Sequence, residues 1–246
     1  VRRTYNRAMG SSAIAIVYGL AVFHLDPMVL SATVYRHGRT RLGAGYELIS
    51  YVDGRTASVA VVRLTNEREY RVIYTNGKPD ASLVLNRYPQ DRDPALGPDI
   101  AGDEPNQILV GLIPMMIRPE ATDAALIGFG SGVTCHVLLA SPTLERLDTI
   151  EIEPEMYAGS RNFLPVNERA YSDPRNHFWF DDAKAFFAGA ARQYDIIVSE
   201  PTNPWVSGVS SLFTVEFYRE AKRYLKPRGV LAQWLQGYEL SNELLL

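Results

Sequence analysis

Polar residues recur at regular places in the second half of this chain, each group closing a short apolar run. Gly128-Phe129-Gly130-Ser131-Gly132 follows the run that begins at Ala124. Glu151-Ile152-Glu153 ends the run from Leu147, Asp181-Asp182 the run His177–Phe180, and Glu200-Pro201-Thr202-Asn203-Pro204-Trp205 the run Tyr194–Ser199. Gln233 and Gln236 stand at the end of a fifth, Gly229–Trp234. Glycines let a backbone turn tightly and approach a ligand closely. A carboxylate about twenty residues beyond such a loop can accept both hydroxyls of a ribose, the chemistry expected of Glu151. Asp182 lies where it would reach an adenine amino group, although Asp181 or Asp182 reads equally well as the cap of the next helix.

The glycines are spaced G-x-G-x-G, one residue short of the G-x-G-x-x-G of dinucleotide sites. The shorter spacing suits an adenosyl sulfonium, which has no pyrophosphate to cradle. The segment from Glu200 to Phe213 exceeds the about 2–6 residues usual for a strand-to-helix connection. Two prolines stiffen the backbone beside the acid. Gly208 and three serines then permit a flap, and Trp205 either covers a ligand or simply packs.

These groups need a scaffold that brings strand ends together. From Asp123 onward, five predicted strands alternate with helices over Gly132–Leu139, Pro154–Phe163, Ala183–Ala191 and Thr214–Leu225. That pattern implies a mostly parallel sheet wound on both faces, with ligands at the carboxyl ends of the strands. Before it, Glu47–Val52, Ala57–Leu64 and Tyr70–Thr75 are rich in Val, Ile and Tyr, with Asp53-Gly54 and Asn76-Gly77 as hairpin turns. They predict a small antiparallel β-meander. Asn86 to Pro105 reads as a loop, and Asn106 to Ile117 as a helix interrupted by Pro114. The expected divisions are an N-terminal segment at 1–40, the meander at 41–85, a loop and connecting helix at 86–120, and a nucleoside-binding domain at 121–246.

Composition narrows the classes. Of 246 residues, 46% are hydrophobic and 22% charged, an ordinary globular mix that excludes a disordered tail, a collagen-like fibre or a coiled coil. One cysteine excludes an internal disulfide, and four scattered histidines give no metal spacing. Cys135 is either a thiol at a helix N-terminus or a small core residue. A net charge of −3 carries no nucleic-acid footprint and leans weakly towards cationic small molecules.

Arg2, Arg3 and Arg7 precede an uncharged run from Ala8 to Phe23. Its length falls between that of a buried helix and that of a membrane span. It admits three readings: the tail of a transmembrane helix, a signal peptide without a clear cleavage site, or a buried helix. The last residues, Ser241 to Leu246, read as a helix start. Together with the initial Val1, this suggests an incomplete chain.

At these residues the chain resembles the polyamine aminopropyltransferase (spermidine synthase) family, whose domain has a class I methyltransferase-like, Rossmann-type fold. The resemblance runs from about Tyr46 to Glu239. It takes in the meander, Asn76-Gly77-Lys78, the Gln107 helix, the glycine loop, Ile150-Glu151-Ile152-Glu153, Asp181-Asp182, and Tyr194–Val198 leading into the Glu200 loop. The wording Glu200-Pro-Thr-Asn-Pro-Trp-Val-Ser-Gly, Gln233-Trp234-Leu235-Gln236 and Asp26-Pro27 after an apolar helix is similar to a bacterial branch fused to a transporter-like membrane region. That favours the transmembrane reading of the first segment. It would place the whole protein at the cytoplasmic face of the bacterial inner membrane, this part being largely a soluble domain. The family's soluble branch forms oligomers, so the resemblance also implies a homo-oligomer. The family fold normally ends in a further antiparallel hairpin that this chain lacks, which would leave a sheet edge uncovered.

The resemblance implies transfer of an aminopropyl group from decarboxylated S-adenosylmethionine to an amine, with methylthioadenosine released and no resident cofactor or metal. Glu200 matches the family's catalytic acid, one methylene longer than the usual Asp. Gly128, Gly130, Ser131, Gly132, Glu151, Asp182 and Ala183 fall at donor positions, and Gln107, Asn203, Trp205, Gln233 and Gln236 at acceptor positions. Ser131 and Asn203 stand where the family usually carries aspartates for the two amine ends. Charge-assisted hydrogen bonds are roughly twice as strong as neutral ones, so diamine recognition should be altered. Two other functions fit the residues: a methyltransferase using intact S-adenosylmethionine, or a non-catalytic nucleoside-sensing module of a membrane protein. An intact donor needs a cationic or backbone partner for its carboxylate, and no basic residue is apparent near the glycine loop.

Overall fold

Short continuous apolar runs in the second half build a five-stranded sheet with the order β7-β6-β5-β8-β9, every neighbouring pair parallel. The strands are β5 (Asp123–Ile127), β6 (Arg146–Ile150), β7 (Asn176–Trp179), β8 (Tyr194–Ser199) and β9 (Leu225–Gln233). This computed structural model describes residues 26–34, 38–65, 69–86, 101–190, 192–204 and 208–236, with five residues of an earlier helical segment (12, 14 and 17–19). Trp205, most of the Ala8–Phe23 run and the terminal Ser241–Leu246 segment lie outside the described residues. Among the described residues, no helix is long and apolar enough to cross a membrane.

Both faces of the parallel sheet are buried, as such sheets require. Leu126, Leu147, Ile196 and Val198 share one core with Phe129, Met156 and Phe163. Ile127, Ile150 and Ile197 share the other with Phe187, Phe217 and Ala221. The second face is covered by α6 (Ala183–Gly189) and α7 (Val215–Arg223). The first face carries α2 (Glu104–Ile117), α3 (Val133–Leu138) and α4 (Pro154–Gly159). Two single turns complete the helices described, α1 (Pro27–Leu30) and α5 (Arg169–Ser172).

The meander has four strands, not the three expected. They run in order as β1 (Tyr46–Asp53), β2 (Ser58–Leu64), β3 (Tyr70–Thr75) and β4 (Lys78–Val84). Asn76 and Gly77 both adopt positive φ, 50° and 74°, the two-residue turn that returns the chain antiparallel. β4 escapes a pattern search because Lys78, Pro79 and Asp80 interrupt its apolar alternation. It lies at the sheet edge, where a proline is tolerated. Ile73 pairs with Ala81 and Tyr74 with Pro79, so Asp80 is the extra residue of a β-bulge.

Two further expectations change. The helix before the parallel sheet runs through Pro114 without a break. Its buried side, Gln107, Gly111, Pro114 and Met115, outweighs the one donor that proline removes. β9 begins at Leu225, because Tyr194 pairs with Leu225 before an irregularity and the regular register from Val230.

The amino ends of the strands are pinned by one carboxylate. Asp195 Oδ2 accepts the backbone N–H groups of Thr122 and Asp123, both at 3.0 Å, and Lys226 Nζ at 2.8 Å. Burial works against its charge, but Lys226 and the two N–H donors outweigh it and hold the pKa at about 2. This folded-state value lies below that of the unfolded chain. The stabilisation is therefore present above about pH 4 and lost as pH falls towards 2, about 2 kcal/mol in all. Denaturant unfolding between pH 2 and 7 should show that loss in the wild type and a much smaller one in Asp195→Asn.

Candidate active site

In a doubly wound sheet the crevice opens where the strand order reverses, here between the carboxyl ends of β5 and β8. Gly128 leaves β5 at φ 88°. A Cβ there would collide with the Glu200 carbonyl oxygen that leaves β8, so only glycine lets the two loops touch. The glycine loop is held from below by Phe129, which is buried and packs against Phe178 at 5.0 Å between ring centroids.

A cavity of about 1100 Å³ lies between these strand ends and the meander. That exceeds the about 300–1,000 Å³ typical of a single small-molecule site and leaves room for two substrates. Among the residues singled out from sequence, Gln107, Gly128, Glu151, Asp182, Ala183, Glu200, Asn203 and Gln236 line it. Gly130, Ser131, Gly132 and Gln233 are not part of its wall. Ser131 is 2% exposed and donates its hydroxyl to Gln107 Oε1. Gln233 Nε2 turns to the carbonyls of Ser199 (3.3 Å) and Trp234 (3.1 Å).

The acids divide their work. Glu151 Oε2 accepts Phe129 N–H and Oε1 accepts Glu153 N–H, both at 2.9 Å. A carboxylate offers about four acceptor sites, so two remain for vicinal hydroxyls. Glu153 instead faces the meander. Its Oε2 accepts the Thr56 N–H at 2.6 Å, the Thr56 hydroxyl at 2.8 Å and the Ala57 N–H at 3.0 Å. Asp182 caps α6, its Oδ1 accepting Lys184 N–H and Ala185 N–H at 3.0 Å. It thus fills the capping role open in the sequence while also lining the cavity. Cys135 is fully buried, with its thiol pushed up to about 12 by desolvation, a core residue.

Glu200 and Glu151 share an unusual electrostatic state. Burial raises each to about 7. The Thr134 hydroxyl pulls Glu200 back down while Asp103 pushes it up; Asp80 adds to the rise at Glu151. Sequence reading missed the meander side of the cavity: Tyr70, Lys78, Asp80, Ser82 and, at the start of α2, Asp103. Asp103 accepts Ser82 N–H at 2.9 Å and Gln107 Nε2 at 3.1 Å, so it sets the Gln107 side chain that holds Ser131. The Asn76-Gly77 turn was the available signal, since a tight turn demands a returning strand. Among the described residues, one basic residue, Lys78, lines this cavity.

The geometry defines a class: a doubly wound α/β domain whose acids line one cavity with a β-meander as its far wall. The profile of the Spermine/spermidine synthase domain matches residues 106–245, and the chain belongs to that family. It is 34% identical over 126 residues to a polyamine aminopropyltransferase of Nitrosomonas europaea, covering 51% of this chain and 38% of that protein. It is 33% identical over 119 residues to one of Alkaliphilus oremlandii, covering 48% and 42%. The aligned regions thus span about two-fifths of the length of these relatives. The fold is shared with the spermidine synthase of Thermotoga maritima at TM-score 0.59 and 18% identity, over 75% of this chain and 55% of that one.

Both raised carboxyls make the ligand-free protein pH-sensitive. The folded state keeps these protons to a higher pH than the unfolded chain. The resulting stability is full below about pH 4.5 and lost as pH rises through about 7. For Glu200 alone that amounts to about 3 kcal/mol. Unfolding free energies measured at pH 4.5, 6 and 8 should decline in the wild type and decline less in Glu200→Gln.

Proposed function

We propose that this protein is an aminopropyltransferase that takes decarboxylated S-adenosylmethionine as co-substrate, with Glu200 as general base and Glu151 as ribose ligand. The observation that carries this reading is the placement of both acids on one cavity at the strand-order reversal, in a chain of the spermine/spermidine synthase family. The names of the relatives, polyamine aminopropyltransferases, support the same assignment.

The chemistry follows from charge. An alkylamine resembles lysine, with a pKa of about 10.4, and is mostly protonated at neutral pH. Glu200 holds the ammonium and accepts its proton. The freed nitrogen lone pair attacks the carbon beside the sulfonium. A C–N bond forms, the C–S bond breaks, and its electron pair neutralises the sulfur, which leaves as methylthioadenosine. A base near pH 7 is well matched to this task at neutral pH. Glu151, with two acceptor sites left, takes the ribose hydroxyls, and Asp182 and Ala183 flank the adenine. Gly128 lets the nucleoside approach the backbone, and Gly130, Ser131 and Gly132 shape the loop behind it. Gln107, Asn203 and Gln236 face the acceptor. The Arg-flanked uncharged run from Ala8 to Phe23 supports a neighbouring membrane-inserted segment, with this domain on the cytoplasmic side.

The whole protein, incubated with decarboxylated S-adenosylmethionine and a pool of amines, should release methylthioadenosine together with an aminopropylated amine. Mass spectrometry of both products checks this. Glu200→Gln should reduce the rate by about 10²–10⁴-fold, and the acid limb of kcat/KM should rise through about pH 7. Donor binding without any methylthioadenosine would sink the assignment.

A further inference from the structure

Lys78 is 7% exposed, yet it lines the cavity and comes from a strand that has no other charged partner to give it than Asp80. Its ammonium donates to Asp80 Oδ1 and, at 2.7 Å, to the Thr202 hydroxyl; Thr202 in turn donates to Asp80 Oδ1 at 3.0 Å. An ammonium has three donors, so one N–H remains. Asp80 Oδ2 makes no hydrogen bond among the described residues. The bulge that makes Asp80 the extra residue of β4 sets the pair at the cavity wall. A cation and an anion therefore stand side by side, each with one open valence.

Their surroundings show which ligand needs them. Thr202 lies two residues beyond Glu200, and the charge of Asp80 is felt at Glu151. The pair thus lines the same cavity wall as the two acids of the proposed reaction. Ser131 and Asn203 are neutral, so those two positions offer a second ammonium no counter-charge. Gln236 Oε1, on the same cavity, is buried with no hydrogen-bond partner among the described residues. A simple diamine leaves the lysine N–H unmatched, whereas a ligand bearing both carboxylate and ammonium satisfies Lys78 and Asp80 together.

We propose that Lys78, Asp80 and Thr202 form a subsite for an α-amino-acid head group. The carboxylate takes the remaining lysine N–H, and the α-ammonium takes Asp80 Oδ2. On the aminopropyltransferase reading, on which this assignment rests, the donor has no carboxylate and the head group belongs to an amino-acid acceptor whose distal amine reaches Glu200; a donor that retained its carboxylate would fit the subsite but not that reading.

Calorimetric binding to the whole protein tests the subsite without requiring turnover. One pair of probes is 2,5-diaminopentanoate and 1,4-diaminobutane, measured with methylthioadenosine present. The other is S-adenosylmethionine and its decarboxylated form. Within one pair the carboxylated member should bind about tenfold tighter or more, as expected for a charged hydrogen bond. Lys78→Gln should abolish that preference, and Lys78→Arg should keep it. Asp80→Asn, which strips the lysine of its internal partner, should raise it, and it carries the test if Lys78→Gln does not fold. A preference in the first pair assigns the head group to the acceptor, and in the second pair to the donor. Equal binding within both pairs, or a preference that survives Lys78→Gln or fails to rise in Asp80→Asn, overturns the proposal. Absence of methylthioadenosine in the turnover assay, with the preference intact, would overturn the transferase reading alone.

Discussion

The carboxylate of Glu153 ties the β1–β2 turn of the meander to the strand ends of the parallel sheet, across which the cavity opens. Three donors from the β1–β2 turn converge on one of its oxygens, while the other caps α4 through Glu155 N–H at 3.1 Å. Burial alone would favour the protonated form. The backbone donors of Thr56, Glu155 and Ala57 and the Thr56 hydroxyl overcome this and hold the group below the ordinary glutamate range. A charged group thus joins two sheets that share an apolar core through Val59, Val61, Ile73 and Leu83. The core supplies attraction without direction; Glu153 supplies the register.

With that register set, the cavity wall collects charges that are costly to bury alone. Glu151 and Glu200 meet the cost by holding protons near neutrality. Lys78 and Asp80 meet it by pairing. In the reaction proposed above, a cationic sulfonium placed near the acids would favour their ionised forms, which would couple donor binding to activation of the proposed base. At the far end of the sheet, by contrast, Asp195, Lys226 and Asp123 satisfy one another.

Much of this was legible in the sequence, and what was not has a physical reason. The five parallel strands announced themselves because two buried faces demand continuous apolar runs, as in Tyr194–Ser199. The polar residues that close those runs, Glu151, Asp182 and Glu200, were found by position alone and do line the cavity. Ser131 and Gln233 were chosen by the same logic, but their side chains bond to neighbours behind the wall. Strand-end position fixes where a Cα lies, not where its side chain finds a partner. β4 was invisible because Lys78, Pro79 and Asp80 line the cavity, leaving only Ala81, Leu83 and Val84 as its apolar signal. Lys78 stands 124 positions before Thr202 in the chain, and the Asn76-Gly77 turn starts the strand that carries it to the Glu200 loop.

The irregularity of β4 has a consequence beyond recognition. It is an edge strand of a four-stranded sheet, the kind of exposed ladder that pairs with a strand of another molecule and starts aggregation. Pro79 withholds an N–H from that ladder, the bulge at Asp80 breaks its spacing, and Lys78 buries a charge beside them. The features that turn polar groups into the cavity therefore also blunt the edge. Replacing them with a regular apolar strand would improve β-pairing within the sheet and, by the same hydrogen bonds, offer a template for association between chains.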